Sequence, residues 1–270
     1  MVLVLWLNNS GVQKRVRDIY KKAVFIHCAS HRLNLVLNEL NSIQTIRNTI
    51  SIIKETIHFL KENAIRQNAS PRLTKLCVTR WSESHKAIRK FFENFILIVE
   101  ALEHFKVDEN KDASLKATYL LNSVSTSQFI ICLKIIAKYS AVIEPITNSL
   151  QGIDCDIFNA NKYIQKLIGY ISNDRANNED MFLSIINDVN KYLNELHIEL
   201  TVPRVTSKQT LRDNHPSSSP ADYYRKSIYI PYLDSLILSL NDRFTEDNEK
   251  FEIYSIHPKY LKQMRKKDFQ

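Results

Sequence analysis

The chain has 270 residues, 44% of them apolar and 24% charged, a composition that supports one or two buried cores and excludes a disordered chain. Only three glycines are present, which argues against phosphate-binding loops and a strand-rich fold. The formal net charge of +8 is uneven, because residues 1–106 carry 17 Lys and Arg against 8 Asp and Glu. Such a basic part is typical of a nucleic-acid partner, although many basic helical surfaces are only solvated.

Four widely spaced cysteines show no paired spacing, which favours a reduced intracellular setting, nuclear or cytoplasmic. The opening MVLVLWL is too short to span a bilayer and lacks the features of a signal peptide, so we expect no membrane association. We interpret it as a short strand or a buried tail.

The first predicted helix is short and amphipathic, with Ser10 as a candidate cap and Val12, Val16 and Ile19 on one face. A strand is predicted over residues 23–28. It leads into a second helix whose inward positions are predicted to be Leu33, Leu35 or Val36, Leu37 and Leu40.

Two longer segments carry apolar residues alternately three and four positions apart, a spacing that predicts long helices with one narrow seam each. The first seam comprises Ile43, Ile46, Ile50, Ile53, Ile57 and Leu60. The second, within residues 82–106, comprises Ile88, Phe91, Phe95, Ile98 or Val99, Leu102 and Phe105. Residues 68–71 break the chain between them, residues 76–79 are predicted as a short strand, and the two helices could pack along their seams.

Further helices are predicted at residues 112–121, 126–150, 156–172 and 181–197. An extended connector over residues 201–220 precedes a last helix at residues 221–244, which Pro231 must bend or delay. The predicted fold is therefore mainly α, with a small α/β portion at the amino terminus.

Several separated sequence blocks, in this order, resemble hAT-superfamily DNA transposases. They are SGVQ at residues 10–13, AVFIHCASHRLNLVL at 23–37, TRWS at 79–82, VPR at 202–204, QT at 209–210 with Arg212, YYR at 223–225, IYIPYLD at 228–234 and RF at 243–244. The whole set is similar to the transposase-derived regions of zinc finger MYM-type protein 1-like proteins and of proteins like the 52 kDa repressor of the inhibitor of the protein kinase.

The resemblance implies a truncated RNase H-like fold with a long helical insertion, divided into residues 1–106 and 107–270. In the family, three carboxylates hold two metal ions for phosphoryl transfer. The resemblance implies that both catalytic aspartates precede Met1 and that the catalytic glutamate follows the last residue. It also implies that the family's zinc finger lies before Met1 and that its dimerisation segment lies after the last residue. We therefore expect no enzyme activity and no cofactor.

Cys28, His31 and the neighbouring His27 have metal-ligand residue types, but two or three ligands do not close a zinc site. We predict no bound metal and favour a buried packing role for Cys28 and His31. The resemblance places this pair beside the family's active site.

Arg80 and Trp81 combine a cation with a large aromatic face, which suits a phosphate and a stacked base. In the related transposases the corresponding Trp is associated with a flipped base. The alternative, which we favour, is that Trp81 plugs the junction between strand and helix.

Lys14, Arg15, Lys21 and Lys22 are further candidate phosphate contacts. We expect a catalytically inactive, transposase-derived module whose contact with DNA is weak and non-specific, or which contacts protein or itself, with no small-molecule substrate. The alternatives are a protein-binding helical adaptor that uses the exposed seams, and a part of a longer, active transposase.

Overall fold

A computed structural model describes residues 11–21, 27–77, 81–108, 110–152, 155, 157–203 and 217–244. Within these ranges 82% of the residues are helical and no strand occurs, which confirms a mainly α protein. The predicted strands fall largely outside the described residues. The structure describes only residues 27–28 and 76–77 of the predicted strands at 23–28 and 76–79, and these four residues are not in a strand. The RNase H-like portion stays a prediction.

Twelve α-helices are present in the described part of the chain. They are α1 (Val12–Ile19), α2 (Ala29–Glu39), α3 (Gln44–Glu62), α4 (Ala64–Asn68), α5 (Trp81–Glu93), α6 (Phe95–Lys106), α7 (Lys111–Val124), α8 (Ser127–Leu150), α9 (Ile157–Ala176), α10 (Asn178–Glu195), α11 (Pro220–Tyr224) and α12 (Ile230–Phe244). A 3₁₀ turn at Leu40–Ser42 follows α2, and a π-helical turn at Arg225–Tyr229 joins α11 to α12.

The prediction of one continuous helix over residues 82–106 is wrong, because these residues form two helices, α5 and α6, that meet at Asn94. The Asn94 side chain donates a hydrogen bond to the Lys90 carbonyl at 2.8 Å, the same oxygen that the Asn94 backbone N–H reaches at 3.2 Å. A short amide side chain that competes for a backbone acceptor disturbs helical geometry, so the chain turns here.

Both predicted seams are buried in one hydrophobic core that extends from α2 to α12. The seams do not pack mainly against each other: α3 lies against α7 and α8, α5 packs most extensively on α8, and α6 packs on α7. The Phe59 and Phe105 rings, with centroids 6.3 Å apart, are one direct contact between α3 and α6. The idea of a helical adaptor that uses exposed seams is therefore wrong, because the core already covers both seams.

The same core includes residues from both sides of position 106. Leu37 and Phe91 belong to it on one side, and Ile136 and Leu233 on the other. The division into residues 1–106 and 107–270 stays a prediction, and the two parts share their buried surface.

Of the two effects predicted for Pro231, a bend or a late start, the late start does not occur, because the last helix runs from α11 at Pro220 through the π turn into α12. A proline ring clashes with the carbonyl four residues earlier, here that of Ser227. The wider π turn ends at Tyr229, two residues before Pro231, and relieves this clash while keeping Ile228 and Tyr229 buried.

A buried polar network fastens this π turn to the core. The Tyr139 hydroxyl donates to Asp174 at 2.7 Å, and its oxygen lies 2.9 Å from the Tyr229 hydroxyl. Lys138 donates to the same Asp174 oxygen, also at 2.7 Å. Burial raises the pKa of Tyr139 and raises that of Tyr229 to about 12, so both phenols remain protonated donors. The network thus joins α8, α9 and the last helix.

Candidate nucleic-acid interface

Helix α1 carries much of the predicted basic surface. Lys14, Arg15, Arg17 and Lys21 are all exposed on or just after it, and Asp18 is the acidic residue among them. Within the described part of the chain, no carboxylate forms an ion pair with these four cations. They are therefore open to a polyanionic partner, whereas Lys22 lies outside the described residues.

The apolar side of α1 is exposed as well. Val12 and Ile19 are 77% and 73% exposed, and Val16 and Tyr20 are also exposed. The N-cap of α1 is Gly11, which has no side chain to accept a hydrogen bond from the first turn. The predicted cap, Ser10, lies outside the described residues. An isolated helix of eight residues is marginal in water, so α1 needs a surface to pack on.

Most cations of the described helices from α7 onward form ion pairs with carboxylates. Lys134 contacts Asp188, Lys138 contacts Asp174 and Arg175 contacts Asp234, each at 2.6–2.7 Å between nitrogen and oxygen. These pairs join neighbouring helices of the carboxy-terminal part. Lys and Arg side chains of the carboxy-terminal part thus mainly neutralise carboxylates of the same protein, whereas those of α1 can contact an anionic partner. Counting charges along the sequence suggests this contrast but does not show which cations are paired.

The predicted buried role of Cys28 and His31 is wrong, because both residues are exposed. Cys28 is the N-cap of α2 without a side-chain capping bond, and His31 lies in the first turn. The inward face of this helix comprises Leu33, Val36 and Leu37, which leaves position 31 on the solvent side. In the part of the chain that the structure describes, no group of three or more metal-ligating side chains is close enough to hold an ion.

Arg32, next to His31, is buried, which the apolar spacing of the sequence did not predict. Arg32 is 8% exposed, and its guanidinium lies 4.4 Å from the centroid of the Phe244 ring. It also donates to the Arg243 carbonyl at 2.7 Å. This cation therefore fastens α2 to the end of α12 and does not face a ligand.

The Arg80–Trp81 motif is only partly described: Arg80 lies outside the described residues, and Trp81 begins α5 without a described side chain. Three residues on, α5 is fixed in the core, because Ser84 donates to the Cys77 carbonyl and His85 is 1% exposed. Burial lowers the pKa of His85 to about 4, so this imidazole is neutral near neutral pH. Both roles considered for Trp81 stay predictions.

None of the described helices is long and apolar enough to cross a membrane. No solved structure matches this chain, and no family model matches it. It is 20% identical, over 207 residues, to the human "52 kDa repressor of the inhibitor of the protein kinase". The matched region covers 74% of this chain and 27% of that relative, so the similarity is distant and concerns about a quarter of the longer protein.

Proposed function

We propose that this chain is a hAT-transposase-derived interaction module that binds nucleic-acid phosphates weakly, without sequence preference and without cutting the strand. The exposed basic surface of α1 is the observation that carries this proposal. Four cations within eight positions have no carboxylate partner among the described residues. The distant similarity to one curated relative agrees with the resemblance to transposase-derived proteins.

Binding of this kind has a characteristic dependence on salt. Each phosphate that a Lys or Arg neutralises releases condensed counterions, which adds about 0.9 to the slope of log affinity against log salt concentration on duplex DNA. Phosphate contacts position a protein without reading bases. We therefore expect similar affinities for unrelated duplexes and a steep loss of binding as salt rises.

A charge-matched pair of variants tests the surface. In the first, Lys14, Arg15, Arg17 and Lys21 become Gln; in the control, four exposed cations from other helices, Lys106, Lys111, Lys162 and Lys166, become Gln. Both proteins lose four positive charges. Fluorescence anisotropy with duplex DNA should show a salt slope lower by about 2 to 4 in the first variant only. Equal losses in the two variants would show that net charge, and not α1, causes binding.

Trp81 provides a second test because it distinguishes base stacking from core packing. If Trp81 stacks a base, Trp81→Ala should weaken binding to frayed or single-stranded ends by about 1 to 3 kcal/mol. If Trp81 fills a gap in the core, the substitution should mainly lower the melting temperature. We expect the loss of stability. An unchanged melting temperature together with lost preference for frayed DNA would contradict that expectation.

Absence of catalysis is a separate part of the proposal. Purified protein should neither nick nor join DNA with magnesium or manganese. The reason is that the family's chemistry requires three clustered carboxylates around two cations. The resemblance assigns none of these three carboxylates to a position in the 270 residues. Metal-dependent cleavage that persists through stringent repurification would refute this part while leaving phosphate binding intact.

A protein partner is the second candidate, and the exposed apolar face of α1 favours it. Val12, Val16 and Ile19 lie on one side of that helix without a covering group among the described residues. Size-exclusion chromatography with light scattering would separate self-association from a monomer. Val16→Ser should abolish any dimer that uses this face.

A further inference from the structure

We propose that Ser219 is a phosphorylation site for a proline-directed serine/threonine kinase. The residue is exposed and has extended backbone, with φ −154° and ψ 163°. Ser217 and Ser218 before it are exposed as well. A kinase must take the acceptor hydroxyl and its flanking backbone into a cleft. Exposed serines supply the flank before the acceptor, whereas Ser219 is the N-cap of α11 and the first turn of that helix must open for the chain to enter the cleft.

The class of kinase follows from Pro220. Proline has no backbone N–H, so an enzyme subsite without a hydrogen-bond acceptor accepts it without loss. Any other residue at this position would bring a buried, unpaired N–H into the same subsite and would bind more weakly. A serine followed by proline is therefore a chemically distinct substrate.

The sequence contains one other Ser-Pro pair, Ser70-Pro71, which makes a useful comparison. Ser70 is only partly exposed, and the backbone that follows is fastened to the core. Leu73 is buried, and its carbonyl accepts a hydrogen bond from Lys61 at 3.0 Å. The chain after Ser219 also enters the core, at Tyr223 and Tyr224, so the two sites differ in the acceptor itself: Ser219 is exposed and Ser70 is only partly exposed.

The local hydrogen bonds leave the hydroxyl available for reaction. Ser219 Oγ accepts from the Asp222 backbone N–H at 3.1 Å, a bond that uses an oxygen lone pair and not the hydroxyl hydrogen. Asp222 in turn binds Arg225 and Lys226, each at 2.8 Å. These two cations lie within two helical turns of Ser219 and offset the charge that a phosphate adds beside Asp222.

In the transfer, Ser219 Oγ attacks the γ-phosphorus of ATP that is bound to the kinase. The new bond joins Oγ to phosphorus, and the bond between this phosphorus and the β–γ bridging oxygen breaks. ADP leaves with that electron pair, and the hydroxyl proton passes to the catalytic carboxylate of the kinase.

The test incubates the full chain with a purified proline-directed kinase, magnesium and ATP, and locates phosphate by peptide mass spectrometry. Ser219 should be modified faster than Ser70. Ser219→Ala should remove the modified peptide, Ser219→Thr should restore it as phosphothreonine, and Pro220→Ala should slow labelling by more than about tenfold. Ser218→Ala, which keeps both Ser219 and Pro220, is the matched control and should label normally.

Three outcomes would overturn the proposal: an unmodified Ser219, phosphate confined to Ser217 or Ser218, or equal labelling of the parent and Pro220→Ala. Unfolding of a variant cannot imitate the expected loss, because an unfolded chain would present more hydroxyls to the kinase. Circular dichroism of each variant confirms that the helices remain.

Discussion

Acidification should destabilise this protein through His85, because the folded state disfavours the protonated imidazole. His85 is 1% exposed, and burial lowers its pKa from 6.5 to about 4. Between these two values the unfolded state binds a proton that the folded state excludes, so stability falls as pH falls. The full effect, below about pH 4, is on the order of 3 kcal/mol, and about 2 kcal/mol is already lost at about pH 5.

The assay is urea unfolding followed by circular dichroism at about pH 7 and about pH 5. The parent should lose about 2 kcal/mol more than His85→Gln between the two conditions, because Gln cannot titrate. His58→Gln, at an exposed position of α3, is the matched control and should behave like the parent. Equal pH dependence in the parent and His85→Gln would refute the reasoning, whatever the absolute stability of each variant.

Three further substitutions, one of them with a matched control, probe buried polarity, packing and backbone strain. Tyr139→Phe removes a hydrogen-bond donor to buried Asp174 and should lower the free energy of unfolding, measured in urea, by about 1 to 3 kcal/mol. An unchanged free energy of unfolding would show that this hydrogen bond does not contribute to stability. Ile53→Ala, fully buried in the α3 seam, should cost about 2 to 5 kcal/mol, whereas Ile65→Ala, 72% exposed on α4, should change stability by less than about 0.5 kcal/mol. His197 has φ 53° after α10, so His197→Gly should raise the melting temperature through a gain of about 1 kcal/mol, and a decrease would contradict strain there.

Periodicity predicted the helices well where one side of a helix faces the core. The α3 seam, from Ile46 to Leu60, is buried as its spacing predicts. Asn94 was not identified as a break, because the seam continues across it and the competing side-chain bond is a local geometric effect. The packing partners of α3 and α5 could not be predicted either, since helical spacing shows which face is buried but not which helix covers it.

Candidate site residues were less predictable than helices. The basic positions of α1 are exposed as expected, since a charged side chain on a short helix has little to bury it. Cys28 and His31 face solvent although burial was expected, and Arg32 between the apolar positions is buried. The contact of Arg32 with Phe244 depends on a helix that follows some two hundred residues later, so no local pattern could show it.

The bond between Arg32 and the Arg243 carbonyl joins positions 211 residues apart, and this has a consequence for synthesis in the cell. At the usual rate of translation, about 10 to 40 s separate the appearance of the two residues. During that interval α2 presents Leu33, Val36 and Leu37 to solvent, because their cover in α12 does not yet exist. The nascent chain should therefore depend on chaperones that shield its first helices until the last one has emerged.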